Sequence, residues 1–268
     1  MIHPSAVIDT QAILEEGVEV GPYAVIDGPV RIGEGTRVCA HAHVEGDTVI
    51  GRECVIHPFA CVGGPPQDLA YDGARSLCRV GDRTIVREGV TIHRGTSEGS
   101  ITQVGNDCML MSNSHVAHDC AIEDHVVMSS GVLLAGHVTL CHHAVLGGAA
   151  MVQQFGRIGE YTMISGATLM TRDAAPFLTY SDRCFCHGVN RVGMRRGGFD
   201  RESIDEVRHL HRKVFRETAH LHRAAQEMAG TTKTKAGERF LQFIMAESKR
   251  GIGASRRRGI GKNSESVE

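Results

Sequence analysis

The sequence predicts a mainly β protein: a parallel β-helix of hexapeptide repeats over residues 1–176, followed by a helical domain over residues 177–250. Three observations carry this. Aliphatic side chains recur at every sixth position, the residue four places further on is small, and past Pro176 the period gives way to helical spacing. Taking every sixth residue from Ile2 to Met170, 26 of 29 positions hold Ile, Val, Leu or Met. A period of six fits neither the turn of an α-helix nor the alternation of a free strand. It fits short strands joined by tight turns around a triangular prism.

Each hexad is one side of the triangle, so three hexads make one coil. At roughly 4.8 Å between hydrogen-bonded strands, just under nine coils stand about 40 Å tall. The small positions, among them Ala24, Thr36, Ala42, Cys54, Cys108, Cys120 and Ala144, fill the interior and account for several of the nine cysteines. Those cysteines are odd in number and form no CxxC pair, so they suggest neither a disulfide framework nor a zinc knuckle. Two interruptions keep the register: residues 63–79, with Asp68 and Ala74 at ladder positions, and residues 96–103, around Glu98. Both read as loops thrown out of the prism, where function commonly sits.

Beyond the repeat, Asp200 is placed to cap a helix whose buried face is Ile204, Val207, Leu210, Val214 and Phe215. Further helices are expected near 218–228 and 238–249, the latter carrying Phe240, Leu241 and Ile244. The Gly-, Arg- and Ser-rich tail, 251–268, is expected to be disordered.

Bulk properties narrow the function. Hydrophobic residues make up 41% and the formal charge is −2, which argues against a nucleic-acid footprint, although the last third is locally basic at Arg195, Arg196 and from Arg208 to Lys213. Such a surface suits an acidic partner. Trp is absent and Gly numbers 32, a composition suited to a repetitive backbone. The first residues lack a basic, apolar leader, and no stretch approaches the roughly 18 apolar residues of a membrane span, so a cytoplasmic location is expected.

The informative cluster is Ser112-Asn113-Ser114-His115-Val116-Ala117-His118-Asp119, with Ala135-Gly136-His137 one coil further on. The coil step puts Gly136 beside His118 and His137 beside Asp119. A Gly136 carbonyl could then accept one imidazole N–H of His118, leaving the other nitrogen to act as a general base. Transfer of an acyl group from a thioester to a hydroxyl needs such a base and donors for the tetrahedral oxyanion, and neither metal nor cofactor. A zinc reading rests on the spacing of His137 and His142, but zinc needs a third ligand, and the positions one and two coils before His137 are Asp119 and Ile101.

Beyond these features, the chain resembles the UDP-N-acetylglucosamine O-acyltransferases of lipid A biosynthesis. The shared stretches are Gln67-Asp68-Leu69, Thr91-Ile92-His93-Arg94-Gly95-Thr96, Ser114-His115-Val116-Ala117-His118-Asp119-Cys120, Leu134-Ala135-Gly136-His137-Val138, Gln154-Phe155, Gly188-Val189-Asn190 and Arg195-Arg196. The resemblance implies left-handed winding and a homotrimer with sites between neighbouring prisms. It also implies transfer of a (3R)-3-hydroxyacyl chain from acyl carrier protein to the sugar 3-hydroxyl. It makes His118 the base, with Asp119 beside it, and the Gly136 N–H the oxyanion donor. Asp68, His93, His115, His137 and Gln154 would line the sugar and diphosphate site, Asn190 and Arg196 would hold the nucleotide, and Gly166 would leave room for the acyl chain. Three residues depart from the family pattern: Ala70 for lysine, Gln153 for histidine and Val192 for an acidic residue. A 3-amino sugar nucleotide as acceptor, or an acetyl-CoA-dependent sugar acetyltransferase, remains an alternative.

Overall fold

A computed structural model of the protein describes residues 1–218 and 220–253. Short strands wind into three sheets of nine, eight and ten members. Pairing is parallel throughout except for one terminal hairpin. One sheet runs Val7, Val25, His43, Cys61, Thr91, His115, Leu133, Met151, Leu169 in register.

Each step along this sheet is one coil of three hexads, except where Cys61 pairs with Thr91 and Thr91 with His115. Those two steps are longer by two hexads and by one. This is why the sixth-residue series survives both interruptions even though Asp68, Ala74 and Glu98 lie outside the prism. Strands Cys61–Gly64, Leu77–Val80, Thr91–His93 and Ile101–Val104 flank the two loops, which are therefore shorter than the sequence suggested, at residues 65–76 and 94–100.

The ladder residues Ile26, Ile32, Ile56, Ile92, Leu110, Leu134 and Leu140 are wholly buried. Burying each stabilises the fold by about 1.5–3 kcal/mol before entropy is charged against it. Thr36, Thr84, Cys54, Cys108 and Cys120 are buried beside them as the small fillers. The corners carry the strain. Non-glycine residues with φ near +60° recur at coil spacing, as at Asp119, His137 and Phe155, or at His125, His143 and Tyr161. Asp and His tolerate this region better than most residues.

The β structure runs past Pro176, where the sequence placed the start of the helical domain. Strand Leu178–Ser181 pairs in parallel with Met163–Ile164, and Phe185–Val189 returns antiparallel. Ile164 faces Tyr180, a step slightly short of a full coil, so the period breaks while the pairing continues. Buried Phe177 and Tyr180 close the end of the prism.

Among the described residues four helices follow: α1 (Arg191–Arg196), α2 (Arg201–Arg216), α3 (Leu221–Met228) and α4 (Lys235–Met245). Asp200 caps α2 by accepting from the Ser203 N–H at 2.8 Å, and the expected face of Ile204, Val207, Leu210, Val214 and Phe215 is buried. The short α1 carries too little periodicity to be foreseen. Gly251–Gly253, assigned to a disordered tail, instead lie along the prism: Ile252 bridges to Asp173, and the Gly253 N–H donates to the Asp173 carbonyl at 2.8 Å. The rest of that tail expectation, with Arg256, Arg257 and Arg258, falls outside the described residues.

Candidate active site

His118 sits just before a prism corner, 4% exposed. Its backbone carbonyl accepts the His137 N–H at 3.0 Å, as the coil step requires. Gly136 lies under the ring: a Cβ there would come within 2.5 Å of His118 Cε1 and Nε2. Only glycine leaves room for the imidazole against the next coil.

The partner of the ring differs from the one the stacking arithmetic suggested. The Gly136 carbonyl accepts the Phe155 N–H at 3.1 Å. His118 Nδ1 instead meets Asp119 Oδ2 at 2.8 Å. The reason is local: Asp119 has φ +59°, and this left-handed corner turns its side chain back beside the preceding residue. The Asp119 N–H donates to Thr102 Oγ1 at 2.8 Å, fixing the corner, and Thr96 N–H from the second loop approaches the carboxylate at 3.3 Å. Burial alone would raise the Asp119 carboxyl. Hydrogen bonds from His118, Ser100 and Thr96 and the charge of His137 outweigh it and hold the group below its ordinary value, as a carboxylate.

On the other side of the ring, His118 Nε2 faces Asp68 Oδ2 at 3.6 Å, too far for a direct hydrogen bond. Asp68 Oδ1 accepts the Ala70 N–H at 2.9 Å, which aims the second oxygen at the histidine. The first loop is pinned at its base by Arg94, which donates to the Gly63 carbonyl and to Tyr71 Oη, both at 2.9 Å. The two loops are tied together where the Arg75 N–H meets Glu98 Oε2 at 2.9 Å.

Around this row lie three more histidines. His137 packs edge-on to His118, ring centroids 5.2 Å apart, and stacks on Phe155 at 4.7 Å. His115 pairs Nδ1 with Thr91 Oγ1 at 2.7 Å and meets His93 edge-on at 5.0 Å. Burial, then the neighbouring His115, His118 and Arg94, push His93 down to about 4, and burial followed by His118 lowers His115. Both stay neutral at physiological pH. Among the described residues, the Gly136 N–H meets no protein acceptor.

His118, Asp119 and His137 bring ligand-type atoms within 4.8 Å of one another. The 2.8 Å between Nδ1 and the carboxylate is nevertheless hydrogen-bond length, shorter than the about 3.3 Å between two ligands of a tetrahedral zinc. His142, whose spacing from His137 raised the zinc reading, points elsewhere, between Glu123 and Glu160.

The remaining sequence-predicted residues lie apart from this row. Gln154 is exposed, and its carbonyl accepts from Arg250 Nε at 2.6 Å. Gly166 is exposed on another corner, without the positive φ that would demand glycine, and a Cβ there would sit 3.2 Å from the Gly148 carbonyl. Asn190, expected at the nucleotide, has its amide engaged within the chain: Oδ1 caps α1 by accepting the Gly193 N–H at 2.9 Å, and Nδ2 donates to the Tyr161 carbonyl at 2.8 Å. Arg196 is exposed at the end of α1. Sequence reasoning gave no role to Lys249 or Arg250, which reach this corner of the prism from the far end of the chain.

A three-sided coil carrying this histidine and its carboxylates defines a hexapeptide-repeat transferase, and the family model for the bacterial transferase hexapeptide (six repeats) matches residues 29–64 and 101–136. A second family model, UDP N-acetylglucosamine O-acyltransferase, domain 2, matches residues 173–253. The acyl-(acyl-carrier-protein)–UDP-N-acetylglucosamine O-acyltransferase of Alkalilimnicola ehrlichii is 46% identical, covering 94% of this chain and 98% of its own. The enzyme of the same name from Halorhodospira halophila is 40% identical over the same shares. The solved UDP-N-acetylglucosamine acyltransferase from Campylobacter jejuni superposes with a TM-score of 0.90 at 32% identity, covering 96% of this chain and 100% of that one. The chain belongs to the UDP-N-acetylglucosamine O-acyltransferase family. A mirror-image winding would not superpose this well, so the prism turns in the same sense as that structure, the left-handed sense the resemblance implied.

Proposed function

We propose that the chain transfers a (3R)-3-hydroxyacyl group from acyl carrier protein to the 3-hydroxyl of UDP-N-acetylglucosamine, the first step of lipid A biosynthesis, with His118 as general base. The observation that carries this is the row Asp119–His118–Asp68. Asp119 accepts from Nδ1–H, which leaves Nε2 as an acceptor. Asp68 Oδ2, 3.6 Å from Nε2, accepts from a neighbouring group of the sugar, while the hydroxyl to be acylated donates to Nε2. That hydroxyl passes its proton to Nε2 as its oxygen attacks the thioester carbonyl. The free Gly136 N–H donates to the resulting oxyanion, and collapse expels the carrier thiolate, which takes the proton back from Nε2.

His93, His115, His137 and Gln154 surround the sugar and diphosphate in this reading. The amide bonds of Asn190 favour a structural role for it, leaving Arg196 as the nucleotide contact on that side. Gly166, exposed and without a positive φ, leaves room for the acyl chain.

A homotrimer is part of the proposal. Outward positions of the ten-stranded sheet are apolar over a long stretch, from Val55 through Ile85, Met109, Val127 and Val145 to Met163, whereas the eight-stranded sheet mixes Arg31, Arg79, Gln103 and Arg157 with Ile13, Val49, Ala121 and Thr139. Leu69, next to Asp68, is wholly exposed on its loop. Burying such surfaces against second copies removes them from water.

No helix among the described residues is long and apolar enough to cross a membrane. With a soluble carrier protein as donor, the proposed location is the cytoplasm. Arg195, Arg196 and Arg208 have no carboxylate partner among the described residues and offer the acidic carrier a steering surface, while Arg212 and Lys213 share Glu217. The deciding experiment is a transfer assay with UDP-N-acetylglucosamine, its 3-amino analogue and a series of 3-hydroxyacyl carrier proteins, beside acetyl-CoA. Turnover with the hydroxyl acceptor and the carrier-bound donor is expected. Activity with acetyl-CoA alone would overturn the reading.

A further inference from the structure

The chain's last described segment folds back onto the corner that holds the candidate site. Asp173, wholly buried, is the anchor. One of its carboxylate oxygens accepts from Arg157 Nε and from Ser248 Oγ, both at 2.7 Å. Ser248 Oγ in turn accepts the Gly251 N–H at 2.7 Å, and the Asp173 N–H donates to the Gly251 carbonyl at 2.9 Å. This clasp fixes both residues between Ser248 and Gly251. Lys249 Nζ lies 4.1 Å from the Phe155 ring centroid, and Arg250 Nε donates to the Gln154 carbonyl. Phe155 is the ring stacked on His137, which in turn packs against His118.

A continuous row thus runs from the His118 imidazole to a lysine ammonium, with links of 5.2, 4.7 and 4.1 Å. Charge makes the row informative. The groups around His118 are two carboxylates, Asp68 and Asp119, and histidines of which His93 and His115 are held neutral. Arg94, the nearest cation in sequence, is committed to the base of the first loop. A phosphate-bearing substrate approaching this corner would meet acidic surface but for the strap. Lys249 is exposed and, like Arg250, has no carboxylate partner among the described residues.

We infer that the C-terminal strap is a substrate-binding element, in which Lys249, steadied over Phe155, binds a phosphate of a substrate whose reacting group lies at His118. The inference rests on the acyl-transfer reading above. Both proposed substrates carry phosphate, the diphosphate of the sugar nucleotide and the phosphodiester of the carrier's thiol arm, and the chemistry recognised is common to both. Lys249 does not touch the reacting atoms, so its loss acts on binding rather than on the chemical step. A charge-assisted hydrogen bond of this kind corresponds to about a tenfold change in affinity.

The test is steady-state kinetics of the full chain and of Lys249→Ala and Lys249→Arg, varying each substrate at saturating levels of the other. Expected is a KM raised about tenfold for one substrate with kcat changed far less, largely recovered in the arginine variant and narrowing with added salt. A rise in the KM of the sugar nucleotide assigns the diphosphate, and a rise for the acyl carrier protein assigns the arm. Unchanged KM values for both, or an equal loss in the arginine variant, overturn the inference. Calorimetric titration of both proteins with UDP separates the two readings. If the wild-type chain shows no transfer, the acyl-transfer reading fails. In that case UDP binding weakened by Lys249→Ala would still support the strap, and UDP binding that ignores the substitution would remove it; where transfer occurs and only the KM for the acyl carrier protein rises, unchanged UDP binding is the expected companion result.

Discussion

Two histidines on neighbouring corners of the prism each lie between two carboxylates, and they do opposite things. His118 holds Asp119 at 2.8 Å through Nδ1 and leaves Nε2 across a 3.6 Å gap from Asp68. His142 meets Glu123 at 3.2 Å through Nδ1 and Glu160 at 2.6 Å through Nε2. Glu160 is buried and is also clasped by Arg239 of α4 at 3.0 Å, whose guanidinium lies 5.9 Å from the Phe177 and Phe199 rings. The His142 cluster closes on itself and ties the helices to the prism. The His118 cluster stays open because its second carboxylate sits on an extruded loop, and a carboxylate–histidine–carboxylate set can act as a base only where a substrate can enter it.

The largest effect that tests this contrast is on turnover. His118→Ala is expected to lower kcat by about 10²–10⁴-fold, while His142→Ala leaves kcat near that of the parent. Comparable losses in both would erase the distinction. A smaller loss, on the order of 10²-fold, is expected for Gly136→Ala, because the added methyl would occupy the space of the His118 ring and tilt it off Asp119. A crystal structure of that variant with the ring undisturbed, beside full activity, would count against the packing argument.

Stability should separate the clusters in the other direction. Arg239→Met leaves Glu160 buried with only His142 for a partner, and one partner lost from a buried pair costs about 3–5 kcal/mol. Because the Arg239 side chain is itself 41% exposed, a cost of about 1–3 kcal/mol is the expectation, read from denaturant midpoints. No midpoint shift would make the clasp ornamental.

Much of this was legible in the sequence for physical reasons. An inward side chain at every sixth position leaves a periodic trace, and insertions of whole hexads do not disturb it. The adjacency of His118 to Gly136 and of Asp119 to His137 follows from the same step. The orientation of Asp119 did not, because spacing says nothing about which corner adopts positive φ. That Asp68 belongs to the site came only from resemblance, since a loop outside the prism obeys no period. The His142 clasp and the strap escaped for a different reason: Arg239, Ser248 and Lys249 lie far along the chain from their partners, and helical spacing does not say where on the prism they dock.

The smallest effect, and the one that divides the two clusters most finely, is the pH dependence of unfolding. Burial raises the Glu160 carboxyl above its ordinary 4.5 despite Arg239 and His142. The folded state then binds more protons than the unfolded one just above pH 4.5, so this group's contribution is fully present below 4.5 and is lost as pH rises through the folded value. His93, beside the open cluster, has the opposite sign. Its folded value of about 4 against an ordinary 6.5 means the unfolded state binds more protons between those limits. Its contribution is present above pH 6.5 and is lost as pH falls toward 4. Urea unfolding from about pH 4 to about pH 7 should therefore respond in opposite directions to Glu160→Gln and His93→Gln: the first steepens the net rise of stability with pH, and the second flattens it. Parallel profiles for the two variants would mean that the clusters do not differ in how they hold their protons, and the distinction between a closed clasp and an open site would have to rest on turnover alone.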